Sequence, residues 1–217
     1  VETVQDQVAG RVKIIQHVAA IRTKDARDLA QHANRIGVDA IASLPPVYWD
    51  YSEEEILRYY RAINEGSDLP CLVYQRPSGG SAELSVETMI RIAEIPQVKG
   101  MKYTAPDFFK MQDLLQRLDW SWVVLSGPDQ LFLPALTMGV SGCIGTTQNV
   151  YPELFLEIYR CFQEGDMQRA MAVQQVVTRI VRLYRPYNAC TTAQALLTTR
   201  GFSLGLSRPP FLPRLPE

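Results

Sequence analysis

The stretch Val98-Lys99-Gly100-Met101-Lys102-Tyr103-Thr104 decides how this chain reads, because it is a strand-like run that ends on an amine. Successive side chains alternate across a strand, so Gly100, Lys102 and Thr104 share one face while Met101 and Tyr103 share the other. Five similar runs surround it, at 12–19, 40–44, 71–74, 122–126 and 142–146, spaced by roughly 25 to 30 residues. Between them lie stretches of helical periodicity, at about 23–37, 52–66, 85–94, 107–118 and 129–139. Thr23, Ser52 and Ser85 head three of these with carboxylates close behind, which suits the exposed amides and positive end of a helix.

Continuous apolar strands alternating with helices imply a parallel sheet covered by helices, either an open doubly wound sheet or a closed (β/α)₈ barrel. The open sheet lacks support. Gly37 stands alone, Ser78-Gly79-Gly80-Ser81 follows a strand without a phosphate-loop pattern, and Gly142-Cys143-Ile144-Gly145 matches none. The prediction is an α/β TIM barrel of which six strands are visible, two short of closure. Residues 1–150 form this partial barrel. Residues 151–217 form a C-terminal extension, helical at about 152–164, 166–185 and 191–200, with a Pro-rich tail from Arg208. The tail reads as an extended strap in which Phe211, Leu212 and Leu215 pack.

Barrel enzymes carry their active sites at the C-terminal ends of the strands, and Lys102 stands at such an end. Poor solvation there disfavours the ammonium, and only the free amine attacks a carbonyl. Tyr74 ends the preceding strand, so it is expected beside Lys102, where a phenol of ordinary pKa near 10 can pass a proton.

Composition narrows the partners. The chain has 217 residues, 47% of them hydrophobic and 21% charged, with a net charge of −1. Its scattered cations offer no field for nucleic acid or anionic lipid, so a small neutral or anionic ligand is expected. No apolar run approaches the roughly 18 to 20 residues of a membrane span, and no signal-peptide pattern opens the chain; a cytoplasmic setting is expected. Cys71, Cys143, Cys161 and Cys190 lack metal-ligand or CxxC spacing and are read as buried, reduced thiols. His17 and His32 fall on different elements and are read as packing residues, with no metal site. The opening segment, with Val1, Val4 and Val8 at helical spacing and no capping residue in front, reads as a helix entered part-way.

Several motifs now stand in order. Leu72-Val73-Tyr74-Gln75-Arg76-Pro77 is followed, 28 residues after the tyrosine, by Lys102 within Gly100-Met101-Lys102-Tyr103-Thr104. Then come Leu125-Ser126-Gly127-Pro128-Asp129 and Gly142-Cys143-Ile144-Gly145-Thr146-Thr147-Gln148-Asn149, with Ile41 to Tyr48 before them and Arg208-Pro209-Pro210 after. Together they resemble the N-acetylneuraminate lyase and dihydrodipicolinate synthase family over essentially the whole chain. The resemblance implies a barrel with a helical extension, usually a homotetramer, and class I aldolase chemistry on pyruvate without a cofactor. It implies that Lys102 is the Schiff-base lysine, that Tyr74 relays protons, and that Tyr48 reaches towards a neighbouring subunit's site. Ile144 would hold pyruvate through its backbone. Thr104, Gly127, Asp129 and Thr146 would contact the sugar-derived part of the substrate, as would Gln130, at a position often Glu in the sialic acid lyases.

Within that family, Gly79 stands where the synthases typically carry an arginine, and Tyr103-Thr104 looks more like the lyases. The implied reaction is cleavage of N-acetylneuraminate to pyruvate and N-acetylmannosamine. The alternatives are the synthase reaction, a 2-keto-3-deoxy sugar acid or 4-hydroxy-2-oxoglutarate aldolase, or an inactive truncated isoform. One departure stands out: the family's Gly-Thr-Thr-Gly-Glu type loop, which binds the pyruvate carboxylate, has no counterpart. Matching residues 12–19 to the third barrel strand puts that loop, within roughly sixty residues carrying two strands, ahead of Val1.

Overall fold

Helices begin where the sequence supplies an oxygen to receive their first amides. A computed structural model describes residues 1–77, 83–184 and 187–211. In it Ser52 caps α3 (Glu53–Glu65) through a reciprocal box: the Ser52 amide donates to Glu55 Oε2 at 2.8 Å, and the Glu55 amide donates back to Ser52 Oγ at 3.4 Å. Ser85 accepts from the Thr88 amide at the head of α4 (Val86–Ala93), and Asp107 from the Lys110 amide at the head of α5 (Phe108–Arg117). Each such cap stabilises its helix by about 1 kcal/mol. The cap expected at Thr23 is corrected: α2 runs Thr23–Ile36, with Arg22 at the cap position in extended conformation and no side-chain cap. Arg22 instead pairs with Asp25 at 2.7 Å, which occupies the nearest carboxylate of the first turn.

The predicted alternation is observed. After α1 (Glu2–Val8) come β1 (Ile15–His17), α2, β2 (Ala40–Ser43), α3, β3 (Cys71–Gln75), α4, β4 (Val98–Tyr103), α5 and β5 (Val123–Ser126). Then follow α6 (Phe132–Thr137), β6 (Gly142–Cys143), α7 (Pro152–Glu164), α8 (Met167–Tyr184) and α9 (Ala189–Thr199). This is an α/β fold. The chain divides into two compact units, Val1–Val124 and Leu125–Glu217, each described by itself.

In the first unit β1, β2, β3 and β4 pair in chain order, all parallel. The helix-covered face of these strands carries Ile41, Ser43, Cys71, Val73, Gln75, Met101 and Tyr103, all buried. α3 packs with Ile56, Leu57, Tyr60 and Ile63 inward, each large apolar side chain worth about 1.5 to 3 kcal/mol of burial. Its tyrosines also fasten to β2: Tyr60 Oη donates to the Ser43 carbonyl at 2.9 Å, and Tyr59 Oη lies 3.1 Å from Ser43 Oγ. α2 turns only Ala26, Ala30 and Ala33 into the core, which lets its backbone approach closely.

In the second unit β5 and β6 pair in parallel, Leu125 opposite Gly142 and Ser126 opposite Cys143. The strand expected over 142–146 stops at Cys143, because the chain turns aside at Gly145 and forms a 3₁₀ turn over Thr147–Asn149. The helix expected over 129–139 likewise divides into a 3₁₀ turn at Asp129–Leu131 and α6. Asn188, not singled out from sequence, caps α9 by accepting from the Cys190 and Thr191 amides.

Among the four thiols Cys71 and Cys161 are buried, Cys143 is half-buried and Cys190 is exposed on α9, which corrects the expectation that all four lie inside. Burial pushes the Cys71 thiol up to about 12, so it is inert near neutral pH. The tail also departs from its prediction: Phe211 is exposed, and the segment is held by a buried hydroxyl, Ser207 Oγ lying 3.0 Å from Thr191 Oγ1. Leu212 and Leu215 lie outside the described residues, as do Gly79 and the rest of the 78–82 loop. No described helix is long and apolar enough to cross a membrane.

Candidate active site

Strand register brings the amine and the phenol together. Tyr74 is the direct partner of Lys102, and Lys102 Nζ lies 4.1 Å from the centre of the Tyr74 ring. A cation over an aromatic face at this distance is attracted by the ring's quadrupole, so the ring holds the amine near it before any substrate arrives. Both residues are half-buried, on the face of the strands opposite that of the buried Met101 and Tyr103.

That alignment depends on an irregularity. Cys71 pairs with Val98 but Leu72 pairs with Gly100, which leaves Lys99 as an extra residue in β4. Such a bulge shifts the phase of everything after it. In unbroken register from Cys71–Val98, with Lys99 opposite Leu72, Met101 would fall opposite Tyr74; because Lys99 is passed over, Lys102 takes that place. The same register puts His17, Ala42, Leu72 and Gly100 level with one another on this face, with Tyr74 and Lys102 one step further along it.

Gly100 is required by the neighbouring strand. A Cβ built there would lie 2.1 Å from the Val123 carbonyl oxygen. Thr104 follows two residues after Lys102, and its amide donates to the Gln75 carbonyl at 2.8 Å. Its Oγ1 is buried and has no hydrogen-bond partner among the described residues, an arrangement that costs free energy unless a ligand satisfies it. Tyr48 lies apart from this group, beyond β2. It is 75% exposed, its ring stands edge-on to Trp49, and its backbone φ of 92° is strained for a bulky residue.

His17, read from sequence as packing, belongs to the group. Its ring meets the Tyr74 ring edge to face, with centroids 6.0 Å apart. His17 is exposed on one side, and partial desolvation by the side chains on the other, then the charge of Lys102, lower its pKa below the ordinary 6.5. A histidine depressed in the folded state binds protons more readily when unfolded, so its contribution to stability is lost as pH falls below 6.5. His17→Phe is expected to flatten that part of the stability curve; a slope unchanged in urea melts across this range would contradict the assignment.

In the second unit Asp129 organises the loop after β6. Its buried carboxylate accepts from the Thr147 amide at 2.9 Å and from Thr147 Oγ1 at 2.7 Å. The other oxygen occupies the space beside Gly145, where an added Cβ would lie 1.8 Å from Oδ1. The Ile144 amide donates to the Ser126 carbonyl at 2.9 Å, leaving the Ile144 side chain exposed. Gly127 and Thr146 are half-buried and Gln130 is exposed. A residue the sequence did not single out secures this arrangement: Gln174 of α8, buried, donates to the Asp129 carbonyl at 3.2 Å and accepts from the Leu133 amide at 2.8 Å. Its signal was only a polar residue on the inward face of a helix. Cys143, raised to about 11 by burial, is not a nucleophile here.

No group of three or more His, Cys, Asp or Glu residues that could hold a metal occurs among the described residues. Parallel strands alternating with helices set an amine beside a phenol at the ends of adjacent strands, an arrangement suited to an α/β enzyme that forms a Schiff base with a carbonyl substrate. The chain belongs to the dihydrodipicolinate synthetase family, whose model matches residues 1–216. It is 32% identical over 203 residues to the N-acetylneuraminate lyase of Rhizobium meliloti, spanning 94% of this chain and 67% of that protein. The catalytic lysine mutant of Ruminococcus gnavus sialic acid aldolase superposes with a TM-score of 0.94 at 30% identity, covering 100% of this chain and 72% of that one. Dihydrodipicolinate synthase from Bacillus anthracis gives 0.93 at 28% identity, covering 99% and 73%.

Proposed function

We propose that this chain carries the lysine, the phenol and most of the substrate pocket of an aldolase that cleaves N-acetylneuraminate to pyruvate and N-acetylmannosamine. The observation that carries the reading is Lys102 Nζ held 4.1 Å from the ring of its direct strand partner, Tyr74. Lys102 adds to the C2 ketone and water leaves, giving a protonated imine. Tyr74 relays the proton of the 4-hydroxyl, accepting it on Oη as its own phenolic proton passes to water, while the C3–C4 bond breaks, the aldehyde departs and the electron pair flows into the imine to form an enamine. Protonation of the enamine and hydrolysis then release pyruvate and restore the amine. The sialic acid aldolase and N-acetylneuraminate lyase relatives support this branch.

On the same reading Thr104, with its buried and unpartnered Oγ1, contacts substrate, and the backbone of Ile144 meets the pyruvate unit. Gly127, Asp129, Gln130 and Thr146 face the sugar-derived part. Tyr48, exposed and strained, serves a neighbouring copy's site in a homotetramer. The six strands belong to an eight-stranded barrel as its third to eighth, with residues 1–150 in the barrel and 151–217 in the helical extension, and the enzyme works in the cytoplasm. The likeness to the Bacillus anthracis synthase keeps a second reading, condensation onto pyruvate in place of cleavage. A panel of 2-oxo acids separates the two, and turnover of 4-hydroxy-2-oxoglutarate alone would end the sialic acid assignment.

The direct test is reduction with borohydride in the presence of pyruvate, followed by peptide mass analysis. A protein that includes the Gly-Thr-Thr-Gly-Glu type loop is expected to carry a pyruvate-derived group on Lys102. The 217-residue chain, which has no such sequence to bind the carboxylate, is expected to carry little. Modification at another lysine, or none in the loop-bearing protein, would defeat the proposal.

A further inference from the structure

His17, Tyr74 and Lys102 lie on three strands of one sheet and present to the same open face. The reaction above uses two of them. The Tyr74 ring is gripped from two directions: Lys102 Nζ stands over its face, and the His17 ring meets it at 87° with centroids 6.0 Å apart. Edge-to-face pairs favour centroid separations of about 4.5 to 7 Å, so this contact has the geometry that fixes a ring plane.

The contact is not one that neighbouring strands make automatically. β1 and β3 are separated by β2, so their backbones stand two strand spacings apart, roughly 9.5 Å. His17 pairs with Ala42, and Ala42 with Leu72. A methyl group is thus the only side chain between the imidazole and the phenol-bearing strand at that level, and a larger residue at position 42 would keep the two rings apart.

We infer that His17 is a positioning residue, holding the Tyr74 ring in the orientation in which its hydroxyl can serve the imine on Lys102, with Ala42 leaving the room for it to do so. This rests on the imine chemistry of the proposed function. His17 does not itself transfer a proton in this account, so an aromatic ring of similar size should replace it. The amine reacts with pyruvate before Tyr74 acts on the 4-hydroxyl, so loss of His17 should spare imine formation and slow carbon–carbon cleavage.

The test uses the full-length protein and three variants, His17→Ala, His17→Phe and Ala42→Leu. For each, cleavage kinetics are measured beside borohydride trapping of pyruvate on Lys102 and the melting temperature. His17→Ala is expected to lower kcat about ten-fold, a cost in keeping with a misplaced proton-transfer group, with trapping and KM changed by no more than about two-fold. His17→Phe should recover most of that loss, and Ala42→Leu, which leaves His17 in the chain but blocks its reach, should reproduce it. Should His17→Ala fail to fold, the contrast between His17→Phe and Ala42→Leu carries the same decision. A wild type that traps pyruvate on Lys102 while His17→Ala keeps full kcat overturns this inference alone, as does a His17→Phe protein with no recovery. A wild type that never traps pyruvate on Lys102 overturns the imine reading and this one with it.

Discussion

Replacing Lys102 with methionine is expected to eliminate the reducible pyruvate adduct and to lower aldol cleavage by about 10⁴-fold or more, since loss of a covalent nucleophile leaves only binding and electrostatics. Methionine nearly matches the length of lysine, and its thioether packs well against an aromatic ring, so contact with Tyr74 survives and the fold should too. Lys102→Arg gives the sharper comparison. It keeps a cation over the Tyr74 ring, but a guanidinium does not deprotonate to attack a ketone. Both variants should be equally inactive while their urea midpoints stay near that of the parent. Activity above about one per cent in either variant would mean that the amine's charge, not its bond to substrate, drives the reaction.

The second large effect is structural. Gly100→Ala should destabilise the protein by about 3 kcal/mol or more, at the upper end of what overpacking costs. The reason lies in what the methyl would meet: the Val123 carbonyl oxygen at 2.1 Å, its carbon at 3.0 Å and its nitrogen at 3.1 Å. These are main-chain atoms of β5, and they cannot rotate away as a side chain could. Relief would need the two strands to part, two residues from Lys102, so surviving folded protein should also trap pyruvate poorly. An alanine variant with the parent's denaturation midpoint would show that the strands are not so closely apposed.

Much of this was legible before any coordinates. The alternation of strands and helices follows from apolar runs separated by amphipathic stretches, and Ser52 and Ser85 cap helices as their chemistry requires, though Thr23 does not. The pairing of Lys102 with Tyr74 followed from both standing at strand ends. Features created by tertiary geometry were not legible. His17 looks like any histidine in a strand until register carries it across Ala42 to Tyr74. Gln174 is an unremarked polar residue in a long helix until Asp129 and Leu133 close on it. β6 breaks off early because Asp129 draws the following residues into a turn through Thr147, a pull between positions 18 apart in the chain. Cys190 reads as helical and apolar, yet which side of α9 meets solvent is decided by packing that periodicity alone does not reveal.

Lys99 offers a last consequence. It is exposed, and no contact described for the amine or the phenol involves it, yet the pairing of β3 with β4 passes it over, and so Lys102 and not Met101 lies opposite Tyr74. Dropping that codon would remove only the surplus residue and leave Cys71–Val98, Leu72–Gly100, Val73–Met101 and Tyr74–Lys102 in unbroken register. A one-codon deletion at Met101, past the bulge, would instead set Lys102 opposite Val73 and turn the lysine to the other side of the sheet, a lesion that keeps every residue of the chemistry in the gene and that a search for missing motif residues would pass over.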